Sequence, residues 1–182
     1  MAIPTYFVGV TVHEGSHALA AKLVGADIVE MNLLPHVSRG KFYFGRVSVV
    51  GLRGRGERTF FYIAPKISDL VLIGGYSLAL GLDALPDNKY GLLAFTVVAT
   101  GFWVDFTRDV FAFWDHNDTV KVYNLYGLDR EWKRLPARLV HAGISVAAAL
   151  VIAEGYRRVF ADDDGEPTMQ NSFTVPLWTT AF

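Results

Sequence analysis

Two histidines and a glutamate near the start of the chain have the spacing of a metal-dependent hydrolase. They form the string His13-Glu14-Gly15-Ser16-His17. On an α-helix, residues four apart lie on the same face, so His13 and His17 can offer imidazole nitrogens to one ion at about 2.0–2.1 Å. Glu14 lies beside them, where it can take a proton from a metal-activated water and pass it to a leaving amine. The string therefore predicts a metal site with a general base.

This string lies inside an apolar stretch that extends over about residues 3–24. Strongly polar residues within a membrane span cost roughly 2.5–3.5 kcal/mol each on insertion scales and usually mark function. On a soluble helix, the same pattern would more often be two surface histidines and a glutamate. The apolar surroundings, together with small residues such as Gly9 and Ala18 that permit close helix packing, favour a functional site.

Composition places the chain among membrane proteins of a single domain. It has 182 residues, of which 52% are hydrophobic even though the 17 glycines are not counted. It has no cysteine, so disulfides and thiolate metal sites are excluded, and a metal must use His, Asp or Glu. The net charge of −1 gives no indication of a nucleic-acid partner.

The elements that must position the string are predicted to be helices of an all-α, multi-pass integral membrane protein. About four transmembrane helices are expected, over residues 3–24, 60–82, 90–114 and 139–160. Residues of about 28–50 are rich in Val, Phe and Tyr around a Ser38-Arg39-Gly40 turn signal, which predicts a small β-hairpin. Its edge could accept an extended peptide, or the hairpin could be structural. Residues 161–182 are expected to form an extramembrane tail, and membrane lipid is an expected partner.

The segment HEGSHALAAKLVGADIVEMNLLP resembles the first catalytic span of the site-2 protease family of intramembrane zinc metalloproteases. The resemblance covers about residues 8–35. It implies that His13 and His17 are zinc ligands and that Glu14 is the general base. It also implies hydrolysis of peptide bonds in or near the membrane, with a membrane protein as the substrate.

That family takes its third zinc ligand from an aspartate in a later span. The candidates here are Asp105, then Asp109, and then Asp118 in the following loop. Asp105 is the first choice because it is the most deeply placed, where a carboxylate without a cation would be unfavourable. An alternative is that Asp105 and Asp109 are neutralised by Arg108, which lies between them.

Other polar residues in the apolar stretches have simpler interpretations. Asp69 can pair with Lys66 one helical turn away, or it can support a ligating histidine. His116 could be a ligand, but it lies in a polar loop.

These observations leave three functions open. The first is a compact intramembrane zinc endopeptidase. The second is a catalytically silent, protease-like accessory subunit of a larger membrane complex, favoured because no Asn-Pro-x-Pro-x-x-Asp-Gly-like string is present. The third is a transporter or proton relay that uses the buried carboxylates, which fits the aspartates but not the histidine spacing.

Overall fold

The computed structural model describes residues 2–38 and 40–161 of the chain. Within these residues it has five α-helices, four short strands and one turn of 3-10 helix at Asp109–Phe111. The helices are α1 (Ala2–Leu23), α2 (Arg55–Gly81), α3 (Lys89–Arg108), α4 (Asp118–Leu125) and α5 (Glu131–Phe160). The strands are β1 (Asp27–Asn32), β2 (His36–Ser38), β3 (Lys41–Tyr43) and β4 (Arg46–Val50).

Three of these helices are long and apolar enough to cross a membrane: α2, α5, and α3 together with its 3-10 extension. No more than 39% of the most apolar window of each is buried within the molecule. Large apolar side chains such as Val71, Val104 and Leu150 are exposed on their outer faces. Lipid solvates such surfaces, whereas water does not, so these helices indicate a multi-pass membrane protein.

The predicted first span is helical, but among the described residues α1 is not one of the helices that are apolar enough to span. Four spans are therefore not confirmed. The physical reason lies in His13, Glu14 and His17, which lower the mean hydropathy of the helix. α1 packs along α2 and α3 with Glu14 and His17 buried, so the polar residues face protein rather than lipid.

The helical core forms where α2, α3 and α5 meet. One buried apolar cluster joins Ile73 of α2 to Phe102 and Phe106 of α3 and to Ala148 of α5. Gly155 of α5 lets the helices approach closely, because a Cβ atom there would lie 1.9 Å from the Tyr76 hydroxyl. Small residues at helix crossings are typical of membrane bundles.

The predicted hairpin is confirmed, and it consists of two short antiparallel ladders in succession. β1 pairs with β4, from Asp27 opposite Val50 to Asn32 opposite Arg46, with an irregularity between Ile28 and Glu30. β2 pairs with β3 nearer the turn. Both β1 and β4 pack against α1, so the hairpin lies over the helix that carries the histidines.

The connection between α3 and α5 contains a helix that the sequence analysis did not predict. α4 begins after Asn117, whose side-chain oxygen accepts a hydrogen bond from the Val120 backbone amide. The helix bounds also differ from those predicted, since α2 begins at Arg55 and α5 at Glu131, both before the apolar runs. Beyond residue 161, the predicted tail lies outside the described residues.

Candidate metal centre

Helix α1 places its two motif histidines side by side, and α4 brings an aspartate to meet them. The ring centroids of His13 and His17 are 5.2 Å apart. Oδ2 of Asp118 lies 3.0 Å from Nε2 of His17 and 3.7 Å from Nε2 of His13. One ligand atom from each of the three residues lies within 4.8 Å of the others, so the group can hold a metal ion.

The other ring nitrogen of each histidine is already held by an acceptor. Nδ1 of His17 lies 2.8 Å from the carbonyl oxygen of Phe61 in α2. Nδ1 of His13 lies 2.8 Å from Oδ2 of Asp105 in α3. A carbonyl oxygen can only accept, so the proton of a neutral His17 is on Nδ1 and the lone pair is on Nε2. Histidines that bind metals are commonly held in this way.

The short distance from Nε2 of His17 to Asp118 indicates that a proton or a metal ion lies between the two atoms. A lone pair on Nε2 that faces a carboxylate oxygen at 3.0 Å is repulsive unless a proton or a metal ion lies between the two atoms. Donor atoms about 2.0–2.2 Å from a tetrahedral zinc ion are about 3.3–3.6 Å apart. The two distances to Asp118, 3.0 and 3.7 Å, lie just below and just above that range. The geometry therefore fits a small divalent metal ion.

Asp118 is suited electrostatically to be the anionic member of the group. Burial would raise the pKa of its carboxyl, but hydrogen bonds from the imidazoles of His13 and His17 in their protonated form, together with the nearby Lys121 ammonium, hold that pKa well below its ordinary value. Nζ of Lys121 lies 2.9 Å from Oδ1, the oxygen that does not face His17. The carboxylate is therefore ionised, with Oδ2 directed towards the histidines.

Glu14 lies beside this group without belonging to it. Only 8% of the residue is exposed, and its carboxylate interacts electrostatically with His13, His17 and Asp118. It accepts a hydrogen bond from the Val47 backbone. A carboxylate in this position is available to a water molecule near the metal, as a general base must be.

A cavity of about 910 Å³ opens onto the site. His13, Glu14 and Asp118 are in its wall, which is formed by α1, α3, the β3–β4 connection and residues 114–118. Apolar and aromatic side chains such as Phe42 and Trp114 make up much of the remaining wall. The cavity is large enough for a segment of a polypeptide or a molecule of similar size.

The β3–β4 connection lies directly over Glu14. The Tyr6 hydroxyl of α1 donates a hydrogen bond to the carbonyl oxygen of Phe44, at 2.6 Å. A Cβ atom at Gly45 would lie 2.8 Å from Cγ and 2.9 Å from Oε1 of Glu14, so only glycine fits here without displacing that side chain. The hairpin thus fixes one wall of the cavity against the proposed base.

The three aspartates considered as third ligands take different places. Asp118, the last of them in the sequence ranking, lies with the two histidines. Asp105, the first choice, is bonded to the far nitrogen of His13, and its other oxygen lies 3.1 Å from the Arg108 guanidinium. Asp109 is 1% exposed and accepts hydrogen bonds from Asn117 and Thr119. Asp105 and Asp109 therefore support the group from outside, and both contact Arg108.

The remaining candidates lie close to the site but contribute no ligand atom to this group. Nζ of Lys66 is 3.5 Å from Asp69, as expected from their spacing, but is closer to Asp105, at 2.8 Å. His116 lines the cavity. The sequence analysis did not predict two supporting contacts: that of the Phe61 carbonyl with His17, and that of Lys66, which it paired with Asp69, with Asp105. The carbonyl of Phe61 has no sequence signal, whereas Lys66, a charged residue in an apolar stretch, carried one.

No protein-family model, curated protein or solved structure matches this chain. Its function must therefore be inferred from its own residues and their geometry.

Proposed function

We propose that this chain is an intramembrane zinc metalloprotease that hydrolyses peptide bonds in or near the membrane. One observation carries the proposal: a carboxylate oxygen of Asp118 lies close to Nε2 of both His13 and His17, and Glu14 is in the wall of the adjoining cavity. The resemblance of the first helix to the catalytic span of site-2 proteases supports the same chemistry. Asp118 replaces Asp105 as the proposed third ligand, because its oxygen lies nearest to Nε2 of both histidines.

Zinc is the metal that best suits these donors. Two imidazoles and one carboxylate form a ligand set found in zinc peptidases, and such sites leave a fourth position for water or substrate. A bound zinc ion supplies Lewis acidity, which polarises the scissile carbonyl and lowers the pKa of a water molecule to about 7. The absence of cysteine removes the thiolate ligands that direct other sites towards purely structural zinc.

The residues around the proposed zinc position then have separate roles in catalysis. Glu14 takes the proton of the attacking water and delivers it to the departing amine. Phe61 and Asp105 fix the two imidazole rings with Nε2 facing the metal position. The hairpin wall at Gly45 lies against the Glu14 side chain and limits its movement at the cavity.

The substrate is proposed to be an unwound segment of a membrane protein. An intact helix is about 10–12 Å across with its side chains, and its carbonyl oxygens are bonded within the helix. A scissile carbonyl must be free of that bonding to reach the zinc position between α1 and α4. The apolar wall formed by residues such as Phe42, Phe44 and Trp114 suits the side chains of a former membrane span.

The test compares the parent protein with Glu14→Gln, purified in detergent and supplied with fluorescently labelled casein as an unfolded substrate. We expect both proteins to contain about one zinc ion. We expect cleavage by the parent and at least about a 100-fold lower rate for Glu14→Gln, since general-base catalysis contributes about 10²–10⁴-fold. His36→Ala, which alters a histidine of the hairpin, is the matched control and should retain both properties.

Each outcome separates the open functions. Equal cleavage by the parent and Glu14→Gln would show that Glu14 is not the base. Zinc that depends on His17 without any cleavage, of casein or of reconstituted transmembrane peptides, would favour the accessory subunit. An absence of zinc from the parent would remove the metalloprotease altogether.

A further inference from the structure

Lys66 of α2 is a buried cation surrounded by carboxylates. The residue is 5% exposed. Its Nζ atom lies 2.8 Å from Oδ2 of Asp105 and donates a hydrogen bond to the Asp105 carbonyl oxygen at 2.7 Å. Asp69 and Asp109 each place an oxygen 3.5 Å away. One ammonium group therefore contacts three acidic side chains from two helices.

Lys66 and the first proposed zinc-binding histidine contact the same carboxylate. The carboxylate oxygen of Asp105 that Lys66 contacts is the same oxygen that holds Nδ1 of His13. The other oxygen of Asp105 faces Arg108, whose side chain is 46% exposed. Lys66 thus directs Oδ2 inward to His13, in competition with a cation that would draw the carboxylate towards the surface.

Lys66 also contacts a second carboxylate, which is hydrogen-bonded to the start of the helix that carries the proposed aspartate ligand. Asp109 accepts hydrogen bonds from Asn117 at 2.8 Å and from Thr119 at 2.7 Å. These two residues flank Asp118 in the chain. The contact of Lys66 with Asp109 therefore holds the carboxylate on which the first turn of α4 is seated.

We infer that Lys66 is a positioning residue that aligns the two halves of the metal centre, acting through Asp105 on His13 and through Asp109 on Asp118. The inference rests on the proposed zinc site. It explains why a lysine lies in a buried part of an apolar helix, where a charge is unfavourable unless it is paired. It also explains why Lys66 is nearer to Asp105 than to Asp69, its neighbour on the same helix.

The test measures zinc affinity in Lys66→Met, which keeps the length of the side chain and removes its charge. Affinity is determined by competition with a fluorescent zinc chelator in detergent. We expect a loss of about 10–100-fold, the range typical for residues that support metal ligands. The visible absorption of Co²⁺ bound in place of zinc should also shift, because the coordination geometry changes. Lys66→Arg, which keeps the charge, should recover most of the affinity.

Two further variants separate positioning from general destabilisation. Tyr76→Phe removes a buried hydrogen bond from the same helix without touching the site, so it should leave zinc affinity and the Co²⁺ spectrum unchanged. The double variant Lys66→Met/Asp105→Asn should lose less zinc affinity than the two single losses added as free energies, since the two changes share the route through Asp105 and only the route through Asp109 is left to Lys66. If Lys66→Met does not fold, Lys66→Gln, which remains polar, replaces it in the same comparison.

The results distinguish this inference from the proposed function. If Lys66→Met binds zinc as tightly as the parent does, or if its Co²⁺ spectrum is unaltered, Lys66 has no positioning role. The proposed metal site would remain. Fully additive losses in the double variant would also overturn it. A parent protein without zinc would overturn the metalloprotease and, with it, this inference.

Discussion

The three long helices α2, α3 and α5 carry two different kinds of polar contact at two levels of the bundle. At one level, which we call the hydroxyl layer, the contacts are neutral. Its members are Tyr76, Thr96, Thr100 and Tyr156. At the other level, the charged layer, the contacts are ionic. Its members are Lys66, Asp69, Asp105 and Asp109.

The hydroxyl layer satisfies itself. The Thr96 hydroxyl donates to the Leu92 carbonyl oxygen, so the hydroxyl of Tyr76 must be the donor in its 2.9 Å contact with Thr96. Each such bond contributes about 0.5–1.5 kcal/mol to folding and leaves no charge in the membrane. The hydroxyl layer therefore stabilises the packing of the helices.

The charged layer contributes little to the stability of the bundle, because each ionised group in a span is unfavourable by roughly 2.5–3.5 kcal/mol before pairing. Two of its carboxylates are also hydrogen-bonded outside the layer, one to His13 and one to the first turn of α4. The charges therefore support the side chains of the candidate site, whereas the hydroxyls contribute to the packing of the bundle. Changes at the metal centre should therefore affect zinc far more than stability, and changes at the hydroxyl layer should do the reverse.

The largest expected effect is the loss of zinc from Asp118→Ala. This change removes the proposed anionic ligand and leaves two imidazoles, so zinc affinity should fall by more than about 100-fold, beyond the loss typical of supporting residues. Asp129→Ala, which alters an exposed aspartate in the loop before α5, is the control and should bind zinc as the parent does. Zinc content and chelator competition measure both. Parental affinity in Asp118→Ala would return Asp105 to first place among the candidate ligands.

That ranking shows where sequence reasoning reached its limit. The spacing of His13, Glu14 and His17 was sufficient to predict which residues share a helix face, because helical periodicity is local. The meeting of Asp118 with His17 depends on two residues 101 positions apart in the chain, and on a helix of only eight residues in a polar connection. Depth in an apolar span favoured Asp105, and that depth instead reflects its contact with the far nitrogen of His13.

The fold was predictable to a similar degree. Apolar runs predicted α2, α3 and α5, and a turn signal between β-rich segments predicted the hairpin. The ends of α2 and α5 were not predictable from hydropathy, because their first turns carry charged residues such as Glu57 and Glu131 outside the apolar runs. The role of Phe61 could not be found, since every residue has a carbonyl group.

An intermediate effect, on stability alone, is expected for Gly155→Ala. The new Cβ atom would lie 1.9 Å from the Tyr76 hydroxyl, so α2 and α5 must move apart or the tyrosine must turn. Overpacking of this kind destabilises by about 1–3 kcal/mol. Gly143→Ala on the same helix meets no atom within 4 Å and should be neutral or slightly stabilising. Unfolding in mixed detergent micelles measures the difference, and equal stability of the two variants would contradict the close packing.

The smallest expected effect is that of Tyr76→Phe. It removes one hydrogen bond from the hydroxyl layer, but Thr96 keeps its bond to the Leu92 carbonyl, so no buried group loses its last partner. The free energy of unfolding should fall by about 1 kcal/mol or less. Zinc affinity should not change.

The same variant tests whether the hydroxyl layer and the Gly155 contact are one feature. Phenylalanine lacks the atom that an alanine at position 155 would strike, so Tyr76→Phe/Gly155→Ala should be less destabilised than the sum of the two single changes. Simple additivity in the unfolding free energies would mean that the clash is relieved by helix movement and not by the tyrosine. In that case α5 would shift as a unit. The zinc affinity of Gly155→Ala would then fall, because Arg138 of α5 donates hydrogen bonds to the segment that precedes Asp118. If only the Tyr76 side chain moves, the zinc affinity of Gly155→Ala should stay unchanged.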